Sequence, residues 1–297
     1  MQDFSDYEYV PPRIELLILR FLVDGPLPFK VIKDHLESIT ERDPNEPQNI
    51  RTYKLSSDHG YYKVLRRMRQ KGTIISRRYS SPNPKKKMVF SLYGITPKGL
   101  SEVRRVAKGI DYCRMDFPTR ETVSHDLQVV LVIKSIRREM MRHKLPHFIE
   151  DENDIKKKTK GPKKNKAYPD LHVKVVLFAG TEEKHKELAI ELDNDTIDKK
   201  RVVDKAIQLY KERRWPTVVL CNTRKRMDEL KDELGRRVNL MVSGANRRGT
   251  SEGELTEIMK TVDRFVIVNT SEFITKGLLS ASMEKADGTK AYMVRQQ

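Results

Sequence analysis

Cysteine is scarce in this sequence: among 297 residues only Cys113 and Cys221 carry a thiol, far apart along the chain. Neither a disulfide framework nor a cysteine metal site fits that usage, and a reducing cytoplasm is the simplest address. Long apolar runs are missing as well. None approaches the roughly 20 residues needed to span a bilayer, so no membrane partner is expected. The first residues, MQDFSDYEYV, are acidic and unlike a signal peptide. Acid also falls short of base, with 42 Asp plus Glu against 59 Lys plus Arg and a net charge of +17. A surface of that sign attracts polyanions, and nucleic acid is the default partner. The length suits two domains.

The first domain is expected over residues 1 to about 110. Ile14, Leu17, Ile18 and Phe21 recur at helical spacing and stop near Gly25, and a shorter helix follows Pro28. Residues 39 to 58 are polar and aperiodic and read as an inserted loop. From Gly60 onward Tyr61, Val64, Leu65 and Met68 make an apolar stripe, while Lys63, Arg66, Arg67 and Gln70 fall on the opposite face. One face can pack and the other can meet DNA. Two strands follow, from Thr73 to Tyr79 and from Met88 to Tyr93, joined by SSPNPKKK with Lys85, Lys86 and Lys87 at its tip. Thr96 and Pro97 then supply an N-cap and first-turn residue for a closing helix. Helix, helix, basic helix, basic hairpin, helix is the order of a winged helix-turn-helix, whose third helix enters the major groove while the wing reaches phosphate. The bland reading of Arg66 and Arg67 is a solvated helix face.

The second domain is expected over residues 119 to 297, in a mixed α/β fold. A helix from Thr119 to about Met141 carries His125 near its start. The run KKKTKGPKKNK, which opens with Lys156, Lys157 and Lys158, is too polar to pack; it is either a solvated linker or a phosphate-gripping loop. After Tyr168-Pro169-Asp170 come the strand LHVKVVLF and a second strand ending ELAIELD. Glu191 and Asp193 stand two apart on that strand, so they share a face, and Asp170 sits at the mouth of its neighbour. Three converging carboxylates would suit Mg²⁺ or Mn²⁺; carboxylates at strand ends are also commonly just hydrated. Next are a helix from Lys199 to Arg213 carrying Lys205, a strand TVVL, a helix from Arg224 to Leu234, a strand NLMVS, a short helix and a strand RFVIVNT. Strands alternating with helices imply a sheet covered on both faces.

Pro169-Asp170 with Glu191-Leu192-Asp193 resembles the core of the PD-(D/E)xK nuclease superfamily, in which a proline-aspartate precedes an acid, any residue and a lysine. Here Asp193 occupies the lysine position, and Lys205 is the best substitute from a neighbouring element. The winged helix, His125-Asp126, YPD, ELDNDT and RFVIVNTSEF together resemble the replication-relaxation family over nearly the whole chain. That resemblance implies a DNA-binding protein of a bacterial plasmid or integrative element, acting in replication, relaxation or mobilisation. It implies Asp170 and Glu191 as the core acids and metal ligands, with His125, Asp193 and Lys205 as further catalytic candidates.

Two functions follow as expectations. The first is DNA binding without cleavage, in replication, transfer or transcription control; the second is a metal-dependent endonuclease or nickase. Double-stranded DNA is the expected partner in both, with replication or mobilisation proteins as possible company. Winged-helix regulators often pair on two half-sites, which makes a homodimer possible, although no heptad pattern identifies a dimer helix.

Overall fold

The computed structural model describes residues 13–42, 50–80, 89–107, 113–159, 166–179, 182–194, 197–247, 251–285 and 289–291. The chain divides into two compact units, Met1–Val130 and Leu131–Gln297. Among the described residues no helix is long and apolar enough to cross a membrane.

In the first unit, helix α1 (Arg13–Leu22) leads through β1 (Leu27–Pro28) into α2 (Phe29–Ser38). The strands β2 (Thr40–Arg42) and β3 (Ile50–Thr52) pair antiparallel, followed by α3 (Asp58–Gln70), β4 (Ile74–Ser80), β5 (Val89–Ile95) and α4 (Pro97–Val106). The stretch expected to be one loop from 39 to 58 thus contains a small ladder. The alternation over so few residues is too short to register as a strand period. In α3 the buried residues are Tyr61, Leu65 and Met68, spaced at one helical face. Gly72 ends this helix with φ of 72°, a left-handed turn that glycine adopts without steric penalty. The sheet runs β1-β5-β4, and β4 and β5 form the antiparallel hairpin of a winged helix. Thr96 caps α4 by accepting a hydrogen bond from the Gly99 N–H at 3.1 Å, with Pro97 in the first turn. A Cβ at Gly99 would collide with the Thr73 carbonyl oxygen, so α4 can approach the chain after α3 only through this glycine.

Helix α5 (Val123–Arg142) contributes to both units. Its start, at Val123 and Leu127, packs with Tyr79 and Leu92 in the first unit. Further along, Ser135 donates to the Phe273 carbonyl at 2.9 Å, and Glu139 accepts from the Leu279 N–H at 2.7 Å, both within the second unit. The sequence expectation put the domain boundary between residues 110 and 119, ahead of this helix.

The second unit continues with β6 (His147–Asp151), α6 (Glu152–Lys158), β7 (Leu171–Ala179), β8 (Glu182–Asp193), α7 (Lys199–Arg213) and β9 (Thr217–Cys221). It closes with α8 (Arg224–Arg247), α9 (Glu252–Asp263), β10 (Phe265–Asn269), α10 (Thr270–Lys276), β11 (Met283–Lys285) and β12 (Lys290–Ala291). The seven strands lie in the order β12-β11-β10-β9-β8-β7-β6. The β6, β7 and β8 strands form an antiparallel meander, β8, β9 and β10 are parallel, and β11 and β12 return antiparallel. This is a mixed α/β sheet. Helices α7 and α8 cover one face, where Val203, Ile207, Leu230 and Leu234 pack on Val219, Phe265 and Ile267.

Two expected elements are corrected. NLMVS is part of α8 and not a strand: Leu230, Leu234, Val238 and Met241 fall at helical spacing, and the last two pack on the same core. The β-branched Val238 and Val242 suggest a strand only if that longer periodicity is ignored. Lys156, Lys157 and Lys158 are the last turn of α6, not a loop. Asp151 caps that helix by accepting from the Asp154 N–H at 2.9 Å, and Ile155 anchors it in the core. Residues 160–165 of the lysine-rich run lie outside the described residues.

Gly99→Ala should lower the stability of the first unit by about 1–3 kcal/mol, the usual range for forcing an extra methyl into a packed site. Thermal unfolding followed by circular dichroism checks this, and an unchanged midpoint would contradict the close approach.

Candidate functional site

Two arrangements carry chemistry, one in each unit. On α3, Lys63, Arg66 and Gln70 are exposed, as the amphipathic pattern requires. Arg67 is placed differently. Its Nε lies 2.5 Å from Glu15 Oε1, while Lys71 Nζ is 3.1 Å from the other carboxylate oxygen. Glu15 is buried, so these cations neutralise a charge that would otherwise be costly, and Arg67 ties α3 to α1. The exposed Arg69 was not singled out from sequence; with Arg66, Gln70 and Ser76 it lines an open recess between α3 and β4. Arg77 and Arg78 on β4 are exposed too. Their signal was the run SRRYS, hidden because two adjacent arginines on a strand look like a break in alternation. Lys85, Lys86 and Lys87 lie outside the described residues.

The second arrangement is built by β7, β8 and α7. Asp170, at the mouth of β7, accepts a hydrogen bond on Oδ2 from the Leu192 N–H at 2.7 Å, which fixes its side chain across the end of β8. On β8, Glu191 is buried and its Oε2 accepts from Lys205 Nζ at 2.6 Å. The same ammonium lies 4.0 Å from Asp170 Oδ1. Lys205 therefore reaches both acids from α7, even though 14 residues separate it from Glu191 in the chain. Burial, then repulsion from Asp170, pushes the Glu191 carboxyl well above its ordinary pKa. Burial works against the Lys205 ammonium, but the carboxylates of Glu191 and Asp170 outweigh it and raise its pKa. Glu152, which opens α6, adds to both effects, and its N–H donates to the Asp170 carbonyl at 3.2 Å.

Asp193 shares the β8 face with Glu191 but belongs to another interaction. Arg226 of α8 donates to it from Nε at 2.5 Å and from Nη2 at 3.3 Å, and the Asp193 side chain is wholly buried. Its same-face position was legible from the period of two; its partner was not. His125 lies half-buried on α5 in the first unit, whereas the acids and Lys205 lie in the second. Of the lysines near the acids, Lys156 sits over the Tyr168 ring at 5.8 Å, and Arg213 flanks the same ring at 5.7 Å. Lys158 pairs with Glu150 at 2.5 Å, and Lys157 is exposed.

Whether these residues fit Mg²⁺ or Mn²⁺ turns on Glu191 Oε1. This buried oxygen has no hydrogen-bond partner among the described residues, so it is available to a cation. Mg²⁺ is commonly held by one or two carboxylates and completed by water and substrate phosphate. Asp170 and Glu191 meet that requirement. Among the described residues no group of three or more His, Cys, Asp or Glu could hold the ion unaided.

The architecture defines a protein with a winged helix followed by a mixed α/β unit bearing an acid-acid-lysine cluster. No family model and no curated protein matches the sequence. Among solved structures the chain is similar to Bacillus subtilis PadR in complex with operator DNA, at 13% identity, over 51% of this chain and 79% of that one, with a TM-score of 0.25. The winged-helix assignment rests instead on the helix order and on the β1-β5-β4 sheet.

Because folding raises the Glu191 pKa, the native state binds more proton than the unfolded chain between the ordinary and the raised value. Stability from this group is present below the ordinary carboxylate range and is lost as pH rises toward the raised value. Thermal midpoints of wild type and Glu191→Gln, measured with a chelator present, should show the wild type losing ground to the variant as pH rises from about 4.5. A difference independent of pH would mean that Glu191 titrates normally.

Proposed function

We propose that this chain is a DNA-binding protein of a bacterial plasmid or integrative element, which engages duplex DNA through α3 and its hairpin and cuts phosphodiesters at Asp170, Glu191 and Lys205. The observation that carries the catalytic part is the lysine. The PD-(D/E)xK-like motif lacks it in sequence, yet Lys205 stands at the acid pair from α7. The net charge of +17 and the exposed Lys63, Arg66, Arg69 and Gln70 support the DNA-binding part. The role in replication, relaxation or mobilisation rests on the resemblance to the replication-relaxation family, as do partners from that machinery and a homodimer on paired half-sites.

When bound, Mg²⁺ or Mn²⁺ would neutralise charge on the scissile phosphate and lower the pKa of a water nucleophile. Asp170 and Glu191 would hold it. Lys205, kept as an ammonium by its two acids, donates hydrogen bonds and does not accept a proton. Its role is to position a phosphate oxygen or the attacking water. Arg213, held beside the Tyr168 ring, places positive charge for the flanking backbone, whereas Lys156 is paired with Glu152 at 2.7 Å.

A second reading, DNA binding without cleavage, is favoured by one observation: the Lys205–Glu191 pair already satisfies one carboxylate oxygen without a metal. Incubation with supercoiled, linear and single-stranded DNA in Mg²⁺ or Mn²⁺ separates the readings. The nuclease predicts cutting that falls at least about 100-fold in Asp170→Ala and Lys205→Ala, with DNA affinity retained. Intact binding with no cutting of any substrate by the wild type supports the second reading and overturns the first.

The DNA-binding surface has its own test. Lys63→Ala with Arg66→Ala should weaken duplex binding and reduce the salt slope by roughly 0.9 for each phosphate contact removed. Arg67→Ala should chiefly lower the thermal midpoint, because it leaves Glu15 short of one cation. Unchanged affinity in the double variant would show that α3 does not face DNA.

A further inference from the structure

At the end of the large sheet where β9 and β10 begin, a cavity of about 890 Å³ opens between the strand ends, α7, α9 and the β11–β12 ribbon. The acids Asp170 and Glu191 lie toward the other end, where β8 finishes. The apolar side chains of its floor are Leu188, Val218 and Met283, each nearly buried, and Val266, which is partly exposed. Its rim carries more cations than carboxylates, the latter being Glu187 and Asp263. Lys260, Arg264 and Lys290 line it and make no ion pair among the described residues. Lys285, by contrast, is paired with Asp263 at 3.4 Å.

Arg214 completes the mouth. It ends α7 in a left-handed conformation with φ of 60°, which a non-glycine residue adopts at a cost. Its guanidinium lies 5.6 Å from the centre of the Tyr210 ring and pairs with Glu257. The result is a planar, partly exposed cation backed by an aromatic ring.

We propose that this cavity binds a nucleotide, with the base against Arg214 and the apolar floor and the phosphates on Lys260, Arg264 and Lys290. Three features select that class. The volume lies within the range of small-ligand sites, and an inorganic anion would fill only a small part of it. Lys260, Arg264 and Lys290 outnumber the carboxylates of the opening, Glu187 and Asp263, and that excess of positive charge favours an anion. A flat guanidinium on an aromatic ring offers the stacking surface that a purine uses, which an aliphatic acid would not exploit. A duplex is too wide to enter and brings no exposed base to the floor, so this site is independent of the α3 surface and of the acid pair.

Isothermal titration of the full chain with ATP and with GTP tests the proposal, alongside inorganic triphosphate and a short single-stranded oligonucleotide. At least one nucleotide should saturate at one site per chain and bind more tightly than triphosphate. Lys260→Ala with Arg264→Ala, both exposed, should weaken it about tenfold or more, as expected when charge-assisted contacts are lost, with the thermal midpoint unchanged. Triphosphate binding as tightly as the nucleotides would reduce the site to charge capture and overturn the proposal. So would binding of the oligonucleotide alone, absence of any binding, or nucleotide binding indifferent to the double substitution.

Discussion

The alternation of β8 organises the second unit. Leu188, Ile190 and Leu192 turn to one face of the sheet and are buried there, which sends Glu191 and Asp193 to the other. Strand period alone therefore commits two carboxylates to a covered face, where hydration cannot stabilise them. Everything packed above that face answers this constraint. Helix α7 brings Lys205 to Glu191, and α8 brings Arg226 to Asp193. The two acids end in different states because their partners differ. Asp193 receives a two-pronged guanidinium and becomes structural, while Glu191 shares one ammonium with Asp170 and keeps a buried oxygen unpartnered.

The first unit solves a similar problem. Glu15 sits on α1 at a buried position, and α3 supplies Arg67 while the following turn supplies Lys71. A buried carboxylate stripped of its partners costs about 3–5 kcal/mol, so these cations are committed to the fold. The remaining positive residues of α3 are then the ones left for an external anion. Structural and functional cations on one helix look alike in composition; only the neighbour across the interface separates them.

The fold was legible wherever a period ran long enough. The stripe of Tyr61, Leu65 and Met68, the cap at Thr96, the strands β7 and β8 that carry the acid pair, and the helix Lys199–Arg213 all follow from spacing and capping chemistry. It was less legible where signals conflicted or were short. Leu240, Met241 and Val242 gave NLMVS a strand-like composition inside a long helix, and the polar α6 owes its order to Asp151 and the buried Ile155. Strands β1, β6, β11 and β12 are short edge or near-edge pieces whose pairing depends on partners distant in the chain.

The sequence by itself determined the charge of the molecule, the winged-helix order, the mixed α/β class and the shared face of Glu191 and Asp193, because these depend on composition and on local periods of 2 and 3.6 residues. Tertiary structure decided which cation meets which acid. It placed Lys205 at the acid pair, withdrew Asp193 to Arg226, tied Arg67 to Glu15 and gathered Lys260, Arg264 and Lys290 around one cavity. These pairings join residues far apart in the chain, and the energy of a charge depends on what surrounds it, which no local pattern specifies.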